Sequence, residues 1–345
     1  MRALTVAPGV PGARLDELAE PPEVDGSVLI ETLLVGICAT DVEIALGTFP
    51  AKPVTNNERL VLGHESLGRV VSAPAGSELH PGQLVVGVVR HPDPGPCAAC
   101  AAGQVDLCLT GDYTEHGIQG RHGFARDRWR TDPNQLVPVP ATLGDSAVLL
   151  EPLSVVVKVW DQLDALWRRA RWAPRTALII GAGTLGQFAA LLATVRGLDV
   201  HVTDTTTSGV KAELVAALGA GYHTSPIPQL QPDIVIDCSG DARAAHAALH
   251  AAAPSSTVAL LGVTLHDGTP GDLAALNRTL VLENRVLFGS VNANRDHYLT
   301  GVGVLQDADP SWLRGLLSRY VPLADFPSAL RRRSDDVKVA LRFAP

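Results

Sequence analysis

Residues 176 to 195 of this 345-residue chain read TALIIGAGTLGQFAALLATV and contain no charged side chain. A run of this length could span a bilayer, but its three glycines and its glutamine argue against a membrane helix. It divides instead into an apolar β-rich segment (TALII), a glycine turn (GAGTLG) and an Ala- and Leu-rich segment typical of a buried helix. The run therefore predicts a strand, a tight turn and a helix in succession.

Strand-like and helix-like segments continue to alternate after this run. LDVHVTD, PDIVIDCSG, STVALLGV and NRVLFGSV have the composition of short strands, and GVKAELVAALGA that of a helix. This alternation predicts an α/β fold with a parallel, doubly wound sheet. Before about residue 155, β-like runs such as SVLIETLLVGI and LGRVVSA are separated by Gly and Pro. They predict a second domain resembling a β-barrel.

The three glycines of the turn have the G-x-G-x-x-G spacing, which gives a tight turn, close approach to a pyrophosphate and close packing of helix on sheet. A purely structural turn is the alternative, but the position between strand and helix favours dinucleotide binding. Asp204 ends the next strand, where it can accept bonds from ribose hydroxyls and repel a 2′-phosphate, and DTTTSG offers no arginine. This favours NAD over NADP. The candidate cofactor-binding residues are Gly181, Gly183, Thr184, Leu185, Gly186, Asp204, Val263 and Asn292.

Composition and charge exclude several kinds of partner. The chain has 46% hydrophobic and 19% charged residues and a net charge of -8, so we expect two globular domains and neither nucleic acid nor an anionic membrane as partner. The N-terminal residues lack a signal-peptide pattern, which predicts a cytoplasmic protein. Five unevenly spaced cysteines do not suggest a secreted disulfide framework, and clustered thiols in a reducing compartment favour metal binding.

Three short segments of the first half carry side chains suited to a catalytic zinc ion. They are VGICATD with Cys38 and Thr40, LVLGHESLG with His64 and Glu65, and LLEPLSVV with Glu151. Taken singly, these residues have ordinary structural explanations. Cys38 could be a small buried residue, His64 a histidine of the core, and Glu151 a solvated acid. Adjacent residues of a regular strand point to opposite faces, but Gly63 makes a local bend plausible, so His64 and Glu65 remain candidates together.

Taken together, these motifs resemble the zinc-dependent medium-chain dehydrogenase family over essentially the whole chain. GICATD, LGHESLGRV, LLEPLSVVVK and GAGTLG occur in the order and approximate spacing of that family, and TGDYTEHGIQGRHGF and LFGSVNANRDHY are similar to its glucose dehydrogenase branch. The resemblance implies a GroES-like catalytic domain (1–155 and 292–345) and a Rossmann NAD-binding domain (156–291). It also implies a homodimer or homotetramer.

The resemblance implies a role for each candidate residue. The catalytic zinc would be held by Cys38, His64 and Glu65, with Glu151 a ligand directly or through water. Thr40 would start a proton relay from the C1 hydroxyl of an aldose, whose hydride passes to NAD to give a lactone. Glu115 and Asn292 would contact the sugar. The alternatives are that Glu115 is a surface acid and that Asn292 is an asparagine in a turn. The chain departs from the family pattern at Ala39, Val155 and Val157.

The segment HPDPGPCAACAAGQVDLC holds the remaining metal candidates. The family pattern has four cysteines here, of which Cys97, Cys100 and Cys108 match the last three, while Pro94 stands at the first. Asp93 could supply an oxygen as the fourth ligand, which gives a second, structural zinc site. In the alternative, the loop keeps its shape by packing and its thiols are free.

We therefore expect an NAD-dependent, zinc-dependent aldose dehydrogenase acting on a glucose-like sugar. A polyol or secondary-metabolite alcohol dehydrogenase of the same family is the first alternative. A non-catalytic NAD-binding sensor is an alternative of another class, and the complete set of Cys38, His64, Glu65 and Glu151 argues against it.

Overall fold

The computed structural model describes residues 1–55, 59–168, 173–225, 227, 229–264 and 272–343. These residues form two compact units. Unit 1 takes in Met1–Ser154, Asn292–Arg333 and the described residues from Lys338 onward, and unit 2 takes in Val155–Val291 and Ser334–Val337.

The first part of unit 1 consists mainly of short strands. They are β1 (Arg2–Ala7), β2 (Val10–Glu17), β3 (Val28–Ile37), β4 (Leu60–Val61), β5 (Glu65–Ser72), β6 (Leu84–Gly87), β7 (Arg90–His91), β8 (Thr114–His116), β9 (Gly120–Arg121), β10 (Arg128–Thr131) and β11 (Leu136–Pro138). Its helical segments are α1 (Ala39–Ala45), α2 (Ala98–Ala101) and 3-10 turns at Val105–Leu107, Pro133–Gln135 and Ala141–Leu149.

The rest of the chain contains both helices and strands. The elements are α3 (Leu150–Trp167), β12 (Thr176–Ile180), α4 (Thr184–Val195), β13 (Asp199–Thr203), α5 (Val210–Ala217), β14 (Gly221–His223), β15 (Ile234–Asp237), α6 (Ala242–Ala251), β16 (Thr257–Leu260), α7 (Leu273–Leu282), β17 (Val286–Gly289), α8 (Arg295–Asp307), α9 (Pro310–Leu316), β18 (Leu317–Pro322), a 3-10 turn (Leu323–Asp325), α10 (Phe326–Ala329) and β19 (Lys338–Arg342).

Unit 1 is built on a mixed sheet around β3. Its strand order is β11-β6-β5-β3-β19-β18, and β10 also pairs with β3. Two smaller sheets have the orders β2-β1-β4 and β7-β8-β9. Trp129 and Phe124 are fully buried in the core between these strands. The β-rich first half expected from the sequence is therefore present.

Unit 2 contains a parallel sheet with the strand order β14-β13-β12-β15-β16-β17. In chain order these strands run 3-2-1-4-5-6, the doubly wound arrangement. All four residues of β15 are buried, as expected of a parallel strand that has both faces covered. The predicted parallel sheet is confirmed.

The apolar run 176–195 forms β12, a turn and α4. Gly181 has φ +91°, a left-handed conformation that favours glycine. A Cβ on Gly186 would lie 2.9 Å from the carbonyl carbon of Gly181, and closer still to its oxygen. The turn therefore packs α4 against β12 at a distance that only glycine allows. In the part of the chain that the structure describes, no helix combines the length and apolar character needed to cross a membrane.

We expect Gly186→Ala to lower the free energy of unfolding by about 2 kcal/mol or more, because the new methyl group overpacks this contact. Gly183→Ala is the matched control, since nothing lies within 4 Å of a Cβ there. Its cost should stay below about 1 kcal/mol. Denaturant unfolding of both variants measures the difference, and equal losses would contradict the packing role of Gly186.

Candidate active site

Unit 1 brings Cys38, His64 and Glu65 into one cluster. One ligand atom from each residue lies within 4.8 Å of the others, and Cys38 Sγ is 3.1 Å from His64 Nε2. His64 and Glu65 are buried and Cys38 is half-buried. Zinc bonds to these donors are about 2.0 to 2.3 Å long, so the spacing suits a single ion.

The bend expected at Gly63 is present. Gly63 has φ +88°, and it separates β4, which ends at Val61, from β5, which begins at Glu65. His64 therefore precedes the regular strand, and its side chain is not forced onto the face opposite Glu65. This break lets two consecutive residues contribute to one cluster.

Asp41 orients two of the three cluster residues. Cys38 is the N-cap of α1, and its backbone N–H donates to Asp41 Oδ2 over 3.0 Å. Asp41 Oδ1 lies 3.2 Å from His64 Nδ1. Burial alone would lower the pKa of His64, but the charges of Asp41 and Cys38 raise it well above its usual value. A carboxylate at Nδ1 directs Nε2 toward a metal ligand position.

The carboxylate of Glu65 has one oxygen paired and one unpaired. Lys338 Nζ donates to Glu65 Oε1 over 2.6 Å, and both side chains are at most 3% exposed. Among the residues that the structure describes, none bonds Glu65 Oε2, which is buried over Gly36, where a Cβ would collide with it. A buried anionic oxygen without a partner is costly, and a zinc ion at the cluster would satisfy it.

Glu151 and Thr40 lie outside the three-residue cluster. Glu151, in the first turn of α3, is buried near His64 and Glu65, and burial raises the pKa of its carboxyl to about 7. Thr40 is half-buried and donates its backbone N–H to Cys38 Sγ over 3.2 Å. A fourth ligand from Glu151, directly or through water, and a relay starting at Thr40 are compatible with these positions.

The two predicted sugar contacts meet in unit 1. Asn292 Nδ2 donates to Glu115 Oε1 over 2.8 Å, although 177 positions separate them in the chain. Both residues are buried. Close to Glu115, Gly117 packs so tightly on Gly63 that a Cβ would lie 2.7 Å from the Gly63 carbonyl oxygen. The strand carrying Glu115 therefore runs next to the segment that carries His64.

The three cysteines of the lobe also form a cluster, since Cys97, Cys100 and Cys108 have their sulfur atoms within 4.8 Å of one another. Asp93 is not among these donors. Its Oδ2 accepts from Thr110 Oγ1 and its Oδ1 from Gly95 N, each over 2.8 Å. The lobe thus offers three thiols to a metal, and Asp93 would have to give up a bond to join them.

In unit 2, helix α4 follows the glycine turn, and its N-terminus has open space at Gly183. Gly183 is the N-cap of α4 with open space around it, whereas the Thr184 hydroxyl donates to the Val337 carbonyl over 2.7 Å. Leu185 is half-buried. Open space at Gly183 and the free N–H groups of the first turn suit a pyrophosphate.

Asp204 follows β13, as the sequence predicted. Its Oδ2 accepts from Ala182 N and its Oδ1 from Thr206 N, each over 2.8 Å, which ties it to the glycine turn. Lys211 Nζ lies 3.5 Å from Asp204 Oδ2. Val263, beyond the end of β16, is 59% exposed. These residues lie at the carboxyl ends of parallel strands, where such sheets bind dinucleotides.

Sequence reasoning missed three residues of the site. Asp41 lies in the same motif, VGICATD, and its capping-box spacing after Cys38 is a local signal that could have identified it. Lys338 and Arg90, which pairs with Glu115 at 2.9 Å, gave no local signal, because each partner is distant in the chain.

Replacing Lys338 tests the buried pair. Lys338→Met should destabilise the metal-free protein by about 3 kcal/mol, because the Glu65 charge is left buried without its cation, and added zinc should restore part of the loss. Arg342→Met, on the same strand, removes a half-exposed ion pair with Asp145 and a contact with the Tyr320 ring, and should cost only about 1 kcal/mol. Denaturant unfolding with a chelator and with zinc gives both values; similar losses would contradict the role of Lys338.

Both units match known protein families. Residues 24–141 match the model of the alcohol dehydrogenase GroES-like domain, and residues 144–343 match the glucose dehydrogenase C-terminus model. The predicted combination of a GroES-like domain with a Rossmann-type sheet is therefore confirmed.

Similar proteins extend over almost the whole chain. The glucose 1-dehydrogenase of Methanocella arvoryzae is 35% identical over 98% of both chains, and that of Thermoproteus tenax is 38% identical over 99% of both. The structure of Haloferax mediterranei glucose dehydrogenase in complex with NADP, zinc and gluconolactone matches with a TM-score of 0.91 at 28% identity, covering 100% of both chains. The chain therefore belongs to the zinc-dependent medium-chain dehydrogenase family, in its glucose dehydrogenase branch.

Proposed function

We propose that this protein oxidises the C1 hydroxyl of a glucose-like cyclic aldose to the lactone, with NAD as the preferred hydride acceptor. Its relatives are named glucose 1-dehydrogenases, and the Haloferax mediterranei structure contains gluconolactone. The proposal rests on the hydrogen bond from Asn292 to Glu115. This pair lies in the same unit as the cluster of Cys38, His64 and Glu65. We also propose a cytoplasmic homodimer or homotetramer.

In this proposal, Cys38, His64 and Glu65 hold the catalytic zinc, with Glu151 as a further ligand directly or through water. Zinc supplies Lewis acidity, which lowers the pKa of an alcohol. Asp41 keeps the Nε2 atom of His64 directed at the ion. Thr40 accepts the hydroxyl proton and passes it outward.

The sugar is held by Glu115 and Asn292, whose carboxylate and amide bond its hydroxyls. A polar site of this kind rejects substrates that leave its groups unpaired. Simple alcohols should therefore be poor substrates, because they lack the hydroxyls that these residues bind. A polyol preferred over every aldose would favour the alternative alcohol dehydrogenase, and no turnover of any alcohol would favour the NAD-binding sensor.

The cofactor proposal rests on Asp204. Its negative charge beside the ribose site disfavours a 2′-phosphate and favours NAD. Lys211, 3.5 Å away, supplies a cation that offsets part of this repulsion. We therefore expect kcat/KM to be higher with NAD than with NADP, and NADP also to be accepted as a cofactor.

Metal content tests both proposed zinc sites. Protein prepared without chelators should contain about two zinc ions per chain. Cys38→Ser should lose one ion together with turnover, and Cys100→Ser should lose the other together with thermal stability, because the lobe has little core of its own. Elemental analysis, melting curves and NADH formation measure these changes. Turnover retained in Cys38→Ser would overturn the catalytic site, and one zinc unaffected by Cys100→Ser would mean a metal-free lobe.

Cofactor selectivity is tested by a reciprocal pair of variants. Asp204→Asn should reduce the ratio of kcat/KM for NAD to that for NADP by about tenfold, since it removes the repelling charge and a charged acceptor worth about 1.5 kcal/mol or more. Lys211→Met should raise the same ratio, because the cation near a 2′-phosphate is lost. A wild-type preference for NADP would show that Asp204 does not select the cofactor.

Glu115→Gln tests sugar binding. It should lower kcat/KM for glucose by about tenfold or more, because it removes the charge of the accepting carboxylate, and should affect a short primary alcohol far less. Asp112→Asn, an exposed acid three positions earlier, is the matched control. Equal losses for glucose and the short alcohol would remove Glu115 from the sugar site.

A further inference from the structure

We propose that Arg90 is a positioning residue that fixes the Glu115 carboxylate, so that one oxygen is presented to a hydroxyl of an uncharged sugar. This inference rests on the proposed function, because it assigns the recognition of the same substrate. The fixed pair of Arg90 and Glu115 also restricts the substrate to neutral aldoses.

The pairing of Arg90 with Glu115 follows from strand register. Strands β7 and β8 are antiparallel, and Arg90 lies directly opposite Glu115 in the ladder. Arg90 Nε donates to Glu115 Oε1 over 3.0 Å, and Arg90 Nη2 lies 2.9 Å from the same oxygen as an ion pair. Because the backbone ladder sets this pairing, the two side chains do not depend on a chance rotamer to meet.

The guanidinium group is held from two further directions. Arg90 Nη1 donates to the Asp106 carbonyl oxygen over 3.2 Å, and its Cζ lies 3.8 Å from the centre of the Tyr113 ring. A guanidinium on an aromatic face gains a cation–π interaction that strengthens away from water. Arg90 is only 4% exposed, so it is a fixed partner for Glu115.

These contacts use one carboxylate oxygen and leave the other available. Glu115 Oε1 accepts from Arg90 Nε and from Asn292 Nδ2, and it is also the oxygen that pairs with Arg90 Nη2. Among the described residues, no donor bonds Oε2, and about 10% of the surface of the Glu115 side chain is exposed. Asn292 is itself fixed, since it has φ +61° and its Oδ1 accepts from Ala293 N over 2.7 Å. The site thus presents Oε2 as an oriented acceptor for a hydroxyl.

Charge pairing limits the substrates that this arrangement fits. The positive charge of Arg90 is neutralised by Glu115, and the guanidinium is enclosed. No free cation is therefore offered to a phosphate or carboxylate of a sugar by this pair, and an anionic group near Oε2 would be repelled. The arrangement fits a neutral polyhydroxylated ring.

The test compares Arg90→Met and Arg90→Lys with Arg128→Met, which removes an exposed arginine paired with Glu20 at 3.6 Å. Each is assayed with glucose, glucose 6-phosphate and a short primary alcohol. Arg90→Met should raise KM for glucose about tenfold or more, since Glu115 loses its charged donors, with a much smaller change for the short alcohol. Arg90→Lys should give an intermediate KM, because one ammonium cannot reproduce the paired donors. The control should match the wild type.

A third variant, Arg90→Ala, leaves space for added guanidinium ion, which should partly restore its KM for glucose, whereas added ammonium should not. A purely structural role for Arg90 would instead raise the KM for glucose and for the short alcohol by similar factors. If Arg90→Met fails to fold, Arg90→Lys with an unchanged melting temperature decides the question. An unchanged KM for glucose in a folded Arg90 variant, or a wild-type preference for glucose 6-phosphate, would overturn the inference. A wild-type enzyme that prefers short alcohols would instead overturn the proposed function itself.

Discussion

The buried carboxylate of Asp41 makes the contacts on which the cluster of Cys38, His64 and Glu65 depends. The residue is fully enclosed, and an enclosed charge is stable only when donors surround it. Those donors are the backbone N–H groups of Cys38 and Gly63, with the ring nitrogen of His64 3.2 Å away. The first of these groups belongs to Cys38, the third belongs to His64, and Gly63 directly precedes His64. A single carboxylate thereby orients the N-terminus of α1, the bend before β5 and the imidazole.

The ends of three neighbouring strands complete the cluster. Strand β3 lies between β5 and β19, and it ends at Ile37, next to Cys38. Strand β5 begins at Glu65 opposite Gly36, and β19 begins at Lys338, whose neighbour Val339 pairs with Ile37. The register of these ladders brings a thiol, a carboxylate and a lysine from three distant parts of the chain into contact. The C-terminal strand is therefore part of the site.

The pair of Arg90 and Glu115 depends on the cysteine lobe as well as on the sheet. The 3-10 turn that supplies the Asp106 carbonyl lies between Cys100 and Cys108. Whatever stabilises the folded lobe therefore also supports Arg90 and, through it, Glu115. In the proposed enzyme, the lobe therefore contributes to stability and also orients Glu115, which recognises the sugar.

The sequence by itself determined the features that depend on neighbouring residues. The strand, turn and helix of 176–195 follow from local periodicity and from the need for glycine at Gly181 and Gly186. Short motifs, together with the family resemblance that they carry, singled out Cys38, His64 and Glu65 as candidates, and the structure brings these three residues together. Only the tertiary structure decided which distant groups come into contact. Lys338 pairs with Glu65, and both Arg90 and Asn292 donate to Glu115. It also placed the Asp93 carboxylate on Thr110, outside the thiol cluster. The physical reason is that sheet register and loop packing bring such groups together, and neither leaves a trace in the residues adjacent to each group.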